Sequence, residues 1–349
     1  MTEITVELGA RAYPVVVAEG FDGFATALDR LGLARRAIVI TDDNVGPLWA
    51  DRLGLGPIVT LPSGEAHKSV ATWASAVDAV LDEGIDRKTP IVALGGGVVG
   101  DLAGFVAASV LRGVPFVQVP TTLLAMVDSS VGGKVGVNHP RGKNLVGAFH
   151  QPRLVWAPLC TLATLPAEER VAGLGEVVKA ALIADEDLLA RLERDAEALA
   201  AGDVGALAPV VARCIAIKAA IVAQDEREGG VRAFLNAGHT VGHALEHATG
   251  YGTLRHGEAV ALGLVAETRF AVRRGLCGDP GLPDRLVALL ARLGLPTIPP
   301  DVAPERLLAA MQLDKKTAGD TLVVPVPARA GRMVLFDLPA SERRELLSG

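Results

Sequence analysis

Apolar and polar positions change their period twice along the chain. The opening residues, Met1-Thr2-Glu3-Ile4-Thr5-Val6-Glu7-Leu8, alternate as a half-buried strand does. Short β-rich runs follow at 37–41, 58–61, 91–94 and 116–119, with helical periods between them, for example 70–81 and 99–111. Strands that alternate with helices predict a mostly parallel, Rossmann-like sheet covered by helices. Residues 131–147 are dense in Gly and Asn and read as turn-rich. From Pro166 to about Leu313 the helical period holds in nearly every window, and two β-rich runs, 321–326 and 332–336, close the chain. The expected division is an α/β domain over 1–160 and a mostly α-helical domain over 161–349.

One of the strand runs carries chemistry. Ile91-Val92-Ala93-Leu94 leads into Gly95-Gly96-Gly97-Val98-Val99-Gly100-Asp101, where a helix begins. Gly95, Gly97 and Gly100 fit G-x-G-x-x-G in a strand–turn–helix setting. Glycines there let a pyrophosphate approach the backbone, and the helix N-terminus favours its charge. The same spacing also suits a purely structural tight turn. In the usual fingerprint the turn follows the first strand and an acid lies about 20 residues downstream. Here strands precede it, and the acids Asp42 and Asp43 lie upstream. Asp42 either accepts from a ribose or caps the next turn.

The cations and amides are unevenly spent. The chain has 26 Arg and only 8 Lys: Lys68, Lys88, Lys134, Lys143, Lys179, Lys218, Lys315 and Lys316. Lysines kept in an arginine-preferring chain are candidates for a compact charge on a phosphate or a titratable amine. Lys88 alone sits in an ordinary surface turn. The four asparagines, Asn44, Asn138, Asn144 and Asn236, fall in glycine-rich or histidine-rich segments. With a net charge of −6, positive charge must be concentrated locally if anions are handled, and no basic run suggests nucleic acid.

Four of the seven histidines, His239, His243, His247 and His256, lie within 18 residues. The first three share one helix face at i, i+4 and i+8. Two histidines on a helix with a third ligand from elsewhere commonly hold a catalytic divalent ion. The segment lacks the Glu of H-E-x-x-H, which disfavours a zincin protease. His247 reads as the bystander. Gly173-Leu174-Gly175-Glu176-Val177-Val178-Lys179 offers a carboxylate and an amine at i, i+3, flanked by apolar residues, either as a surface ion pair or as part of a site.

Taken together these segments resemble the 3-dehydroquinate synthase family, within the sugar phosphate cyclases, over nearly the whole length. The resemblance is carried by Pro62-Ser63-Gly64-Glu65-Ala66-His67-Lys68-Ser69, the run from Gly95 to Gly104, and Pro120-Thr121-Thr122-Leu123-Leu124-Ala125. It continues in Asp128-Ser129-Ser130-Val131-Gly132-Gly133-Lys134, Gly142-Lys143-Asn144-Leu145-Val146-Gly147-Ala148-Phe149, and Asp225-Glu226-Arg227-Glu228-Gly229-Gly230 through His243. His256-Gly257-Glu258-Ala259-Val260 and Asp314-Lys315-Lys316 complete it.

The resemblance implies a Zn- or Co-type ion on Glu176, His239 and His256, with His243 a site residue and proton acceptor. It implies NAD on Asp42, on Ser63, Gly64, Glu65, Ala66, His67 and Lys68, and on Gly97, Val98, Val99, Gly100 and Asp101. Thr121, Thr122, Thr161, Leu162, Ala163 and Thr164 complete that set. Lys134 and Lys143 would lie where nicotinamide meets substrate. Asp128, Asn144, Lys179, Lys218, Arg232, Asn236 and one of Lys315 and Lys316 would hold the substrate, and Arg112 would reach its phosphate from a neighbouring subunit of a homodimer. The family's substrate is 3-deoxy-D-arabino-heptulosonate 7-phosphate, converted by transient oxidation, phosphate elimination, re-reduction and aldol closure. The chain departs from the usual family pattern at Val135, where Thr is common, at Val110, where an aromatic is common, and at Ala180-Ala181, where an aromatic or His and then Gly are common.

Three other readings remain at this point: a cyclase for another sugar phosphate, a metal-dependent alcohol or polyol dehydrogenase, and a nucleotide sensor without activity. The surviving lysines argue against a dehydrogenase, which has no dense anion pocket, and a sensor has no use for a Glu/His/His set. Three scattered cysteines and the strand-like start lead us to expect a cytoplasmic protein with no signal peptide, and no transmembrane helix is expected.

Overall fold

The computed structural model describes residues 1–33, 36–250, 252–312, 317–318 and 321–347. The chain divides into two compact units, Met1–Leu165 with Lys218–Glu226, and Pro166–Ile217 with Arg227–Gly349. A single cut near residue 160 therefore leaves out one exchange: the stretch from Lys218 packs with the first unit.

In the first unit the strands are β1 (Thr2–Val6), β2 (Tyr13–Ala18), β3 (Ile38–Asp42), β4 (Ile58–Leu61), β5 (Ile91–Gly95), β6 (Phe116–Pro120), β7 (Lys134–His139), β8 (Gly142–Phe149) and β9 (Leu154–Pro158). The helices are α1 (Phe24–Arg30), α2 (Gly46–Trp49), α3 (Val70–Asp82) and α4 (Gly97–Ser109). Seven strands form one sheet in the order β1-β2-β9-β6-β5-β3-β4, parallel except for β1 against β2. Alternation along the strands splits the core in two. Ile38, Ile40, Ala93 and Phe116 face Ala76, Val80, Leu102 and Val106 of α3 and α4, while Val39, Val92, Leu94 and Trp156 face Phe24 and Leu28 of α1.

Strand order reverses between β3 and β5. Neighbours run outward to β4 on one side and to β6 and β9 on the other. Ligands of open α/β sheets bind outside the carboxyl ends of the strands at such a point.

The structure corrects three readings of the pattern. The 131–147 stretch is no loop: β7 and β8 form an antiparallel hairpin. Strands β2 and β9 were missed. The helix expected over 99–111 starts at Gly97 and ends at Ser109, because Leu111 and Arg112 take φ of +51° and +67°.

The second unit holds α5 (Ala167–Ala184), α6 (Glu186–Arg194), α7 (Ala196–Ala201), most of α8 (Val204–Gln224), α9 (His239–Thr249), α10 (His256–Arg273), α11 (Leu282–Arg292) and α12 (Pro304–Gln312). A small antiparallel sheet of β10 (Thr317–Ala318), β11 (Thr321–Arg329) and β12 (Arg332–Pro339) completes it. By length and composition alone α8 is apolar enough to cross a membrane, a test that buried core helices also pass. Half of that apolar window is buried inside the protein and Lys218 lies within it, which suits a core helix.

Candidate active site

In the second unit, helices α5, α9 and α10 approach more closely than side chains normally allow, and glycines permit it. A Cβ on Gly257 would fall 1.8 Å from the Ala172 carbonyl oxygen, and one on Gly175 2.1 Å from that of Gly257. Gly238 begins α9 at φ +77°, and a Cβ on Gly263 would sit 1.9 Å from its oxygen. Each of these contacts sets a polar side chain next in sequence: Glu176 after Gly175, His239 after Gly238 and His256 before Gly257. The start of α10 is fixed as well, since the Arg255 amide donates to Glu258 Oε2 at 2.8 Å.

The result is a polar cluster with Glu176, Lys179 and His239 buried, His256 half-buried and His243 exposed. Glu176 Oε1 lies 3.3 Å from His256 Nε2 and 3.6 Å from His239 Nε2. Lys179 pairs with the other Glu176 oxygen, and both residues are 2% exposed. The surface ion pair allowed by the sequence is thus excluded. Nitrogens of His239, His243 and His256 all lie within 4.8 Å of one another, so the structure brings His243 into the same cluster. His247 is exposed and stands outside that group.

Two carboxylates that sequence reasoning did not single out support the rings. Glu246 Oε2 lies 3.4 Å from His256 Nδ1, and Glu267 Oε2 accepts from the Gly238 amide at 2.5 Å. The signal for Glu246 was present: it lies seven residues after His239 in α9, on the same helix face. Burial works against a charged His256, but the hydrogen bonds it donates to Glu176 and Glu246 prevail and raise its pKa from 6.5 to about 9. The Arg232 guanidinium, 2% exposed, lies in the 3-10 turn Val231–Asn236, and Asn236 at its end donates to Glu228 Oε1 at 2.7 Å.

In the first unit, the residues expected at a dinucleotide all follow carboxyl ends of parallel strands. Asp42 ends β3; Ser63, Gly64, Glu65, Ala66, His67 and Lys68 follow β4. Gly97 to Asp101 follow β5, Thr121 and Thr122 follow β6, and Thr161 to Thr164 follow β9. Helix α4 begins at Gly97 with no side-chain cap. Thr121 Oγ1 is buried with no hydrogen-bond partner, a costly state unless a ligand satisfies it. Asp42 does cap the next turn, accepting from the Asn44 and Val45 amides at 3.0 and 2.8 Å through one oxygen. Burial raises its carboxyl above the usual range, and those amides oppose the rise.

Gly100 has a structural duty: a Cβ there would meet Gln118 Oε1 at 2.7 Å, so it lets α4 lie against β6. Lys68 is buried, its Nζ 2.6 Å from Asp101 Oδ2 and 2.7 Å from Asn144 Oδ1. It ties the loop after β4, the first turn of α4 and the hairpin together. Burial pushes the Asp101 carboxyl up, and the Lys68 charge opposes it. Asn144, expected at the substrate, sits at φ +52° and its amide donates to Asn138 Oδ1. Lys134 and Lys143 lie on the two strands of that hairpin, at exposed and half-buried positions. Lys218 Nζ donates to the Asp128 carbonyl at 2.5 Å and to Asp128 Oδ1 at 2.9 Å. Asp128 itself lies in a π-helical turn, Ala125–Ser129. Arg112 is exposed beyond the end of α4, and Lys315 and Lys316 lie outside the described residues.

Two family models cover most of the chain: "3-dehydroquinate synthase N-terminal" matches residues 58–172 and "3-dehydroquinate synthase C-terminal" matches 173–317. The chain belongs to the 3-dehydroquinate synthase family. A 3-dehydroquinate synthase of Desulforamulus reducens is 44% identical over 96% of both chains. A solved 2-deoxy-scyllo-inosose synthase, complexed with carbaglucose-6-phosphate, NAD+ and Co2+, superposes with a TM-score of 0.89 at 28% identity over 99% of both chains. The 2-epi-5-epi-valiolone synthase of Streptomyces hygroscopicus subsp. jinggangensis, with NAD+ and Zn2+ bound, gives 0.87 at 29% identity over 98% of this chain and 96% of its own. The mostly parallel sheet and helical domain expected from the sequence are those of the sugar phosphate cyclases.

Proposed function

We propose that this chain turns 3-deoxy-D-arabino-heptulosonate 7-phosphate into 3-dehydroquinate and phosphate, using NAD and one divalent ion. As a member of its family it is a lyase. The observation that carries the reading is the buried Glu176 and His239 with half-buried His256, and Lys179 locked against them: a metal-ligand cluster carrying a fixed cation beside it. Similarity to 3-dehydroquinate synthases, at 44% identity, exceeds that to the cyclases of known structure above, at 28% and 29%. A polyol dehydrogenase would have no use for the buried cations Lys179, Lys218 and Arg232.

The residues fit both groups. One carboxylate oxygen with imidazole nitrogens 3.3 and 3.6 Å from it forms a nitrogen–oxygen donor set suited to Zn2+ or Co2+. The uncapped α4 terminus, the strand-end loops and the orphaned Thr121 hydroxyl suit a dinucleotide. We assign the ion to Glu176, His239 and His256. NAD goes to Asp42, the Ser63–Lys68 loop, the Gly97–Asp101 turn, Thr121, Thr122 and the Thr161–Thr164 turn. When bound there, NAD would supply a reversible hydride acceptor for the substrate's C5 carbon, and the ion would supply polarisation of the C5 oxygen.

The chain's own groups do the rest. His243 accepts the C5 hydroxyl proton. Lys179 holds its ammonium against Glu176, ready for an anionic substrate oxygen. Lys218, aimed by Asp128, and Arg232, beside Asn236, fix the substrate's charged ends, with Asn144 and one of Lys315 and Lys316 completing the grip. Lys134 and Lys143 place the reacting carbon near nicotinamide. Fixed cations of this kind stabilise charge that develops as phosphate leaves. Arg112, exposed beyond α4, reaches the phosphate bound by a second copy, so the working unit is a homodimer. Three free cysteines accord with a reducing, cytoplasmic setting.

The test is phosphate release from the heptulosonate phosphate by purified protein. Release should require NAD+, stop on chelation and return with Zn2+ or Co2+. Undiminished release from metal-free protein would contradict the assignment.

A further inference from the structure

The two imidazoles assigned to the ion are turned the same way. His239 directs Nδ1 at the Ala237 carbonyl, 3.0 Å away, and Nε2 at Glu176. His256 directs Nδ1 at Glu246 Oε2, 3.4 Å away, and Nε2 at the same Glu176 oxygen. An acceptor on Nδ1 keeps the proton there and leaves the Nε2 lone pair for a metal. The two acceptors differ in charge. Ala237 offers a neutral carbonyl, and Glu246 offers a carboxylate that is 4% exposed, inside the second unit's helical core.

Charge gives that difference a purpose. Glu176, the carboxylate ligand, is already matched by the Lys179 ammonium. The two imidazoles are neutral when they bind an ion. A divalent charge in a buried site must be balanced locally, and Glu246 is a second carboxylate within one imidazole of it. A carboxylate on the far nitrogen also makes the ring a stronger donor than a carbonyl does.

We propose that Glu246 is a positioning residue for the metal. It fixes the His256 ring with Nε2 facing the ion, and its charge strengthens ion binding without touching the ion. The inference rests on the assignment of the ion to Glu176, His239 and His256.

The test measures Zn2+ affinity of the full-length protein by competition with a chromophoric chelator, alongside the visible spectrum of the Co2+-loaded form. Variants are Glu246→Ala, Glu246→Gln and, as a control, His239→Ala. Glu246→Ala should bind Zn2+ about 10–100-fold more weakly, the usual cost of losing an outer partner of a metal-bound imidazole. Glu246→Gln keeps an acceptor oxygen but not the charge, so it should fall between Ala and wild type, with a shifted Co2+ spectrum. A merely structural Glu246 would lower the melting temperature and leave both metal readouts unmoved. Should Glu246→Ala fail to fold, the isosteric Glu246→Gln decides. Wild-type affinity and an unchanged spectrum in Glu246→Gln and Glu246→Ala, with one ion in wild type and none in His239→Ala, would overturn this inference alone. No ion in wild type, or undiminished binding in His239→Ala, would overturn the metal assignment and this inference with it.

Discussion

Lys218 shows how much a single side chain can carry. Its ammonium is buried and held by both the carbonyl and the carboxylate of Asp128. Lys218→Ala removes a proposed substrate cation and also strips a partner from Asp128. Activity should fall by about 2–5 kcal/mol in transition-state stabilisation, read as kcat/KM, and stability by about 1–3 kcal/mol. Lys88 is the control: it is exposed in the turn before β5, so Lys88→Ala should change stability by less than about 0.5 kcal/mol and leave kcat/KM alone. Equal effects at the two positions would refute a special role for Lys218. Both lysines were visible in the sequence because the chain otherwise prefers arginine. The Asp128 contact was not visible, because the two residues are 90 positions apart. Glu246 escaped notice for another reason. A glutamate between histidines in a helix reads as solvated until packing shows that its face is buried.

Among elements, the helices that carry the histidines owe their spacing to glycine. Gly257 has no room for a methyl group against the Ala172 carbonyl. Gly257→Ala must push α10 from α5, which should cost about 1–3 kcal/mol or more in chemical denaturation. It should also weaken metal binding, because Glu176 and His256 flank that contact. A variant as stable as wild type, with unchanged metal affinity, would show that the close approach is dispensable. Periodicity revealed the long helices and the central strands of the sheet, where burial on both faces leaves an unbroken apolar run. It failed where composition masks the conformation. The β7–β8 hairpin pairs Gly136 with Gly147, and glycine is depleted in strands. Strand β2 carries Pro14, tolerated because the pairing of β2 with β9 begins only at Val15, so Pro14 has a partner strand on one side alone. Strand β9 is five residues long and ends in proline.

For the molecule as a whole, the chemistry expected from the sequence falls into two constellations: loops at the carboxyl ends of β3, β4, β5, β6 and β9 in one unit, and a carboxylate–imidazole cluster on α5, α9 and α10 in the other. The glycine-rich turn and histidine run announced these separately. The convergence of five strand ends emerged only from the sheet order, which no local pattern encodes. The central claim is that NAD is recycled within each turnover and never consumed. The most direct measurement supplies the heptulosonate phosphate in large excess with NAD+ at less than one equivalent per active chain, while phosphate and absorbance at 340 nm are followed together. The account predicts many phosphates released per NAD+ with no lasting rise at 340 nm. One NADH accumulating for each substrate consumed, with turnover halting when NAD+ runs out, would contradict it and make the chain a dehydrogenase.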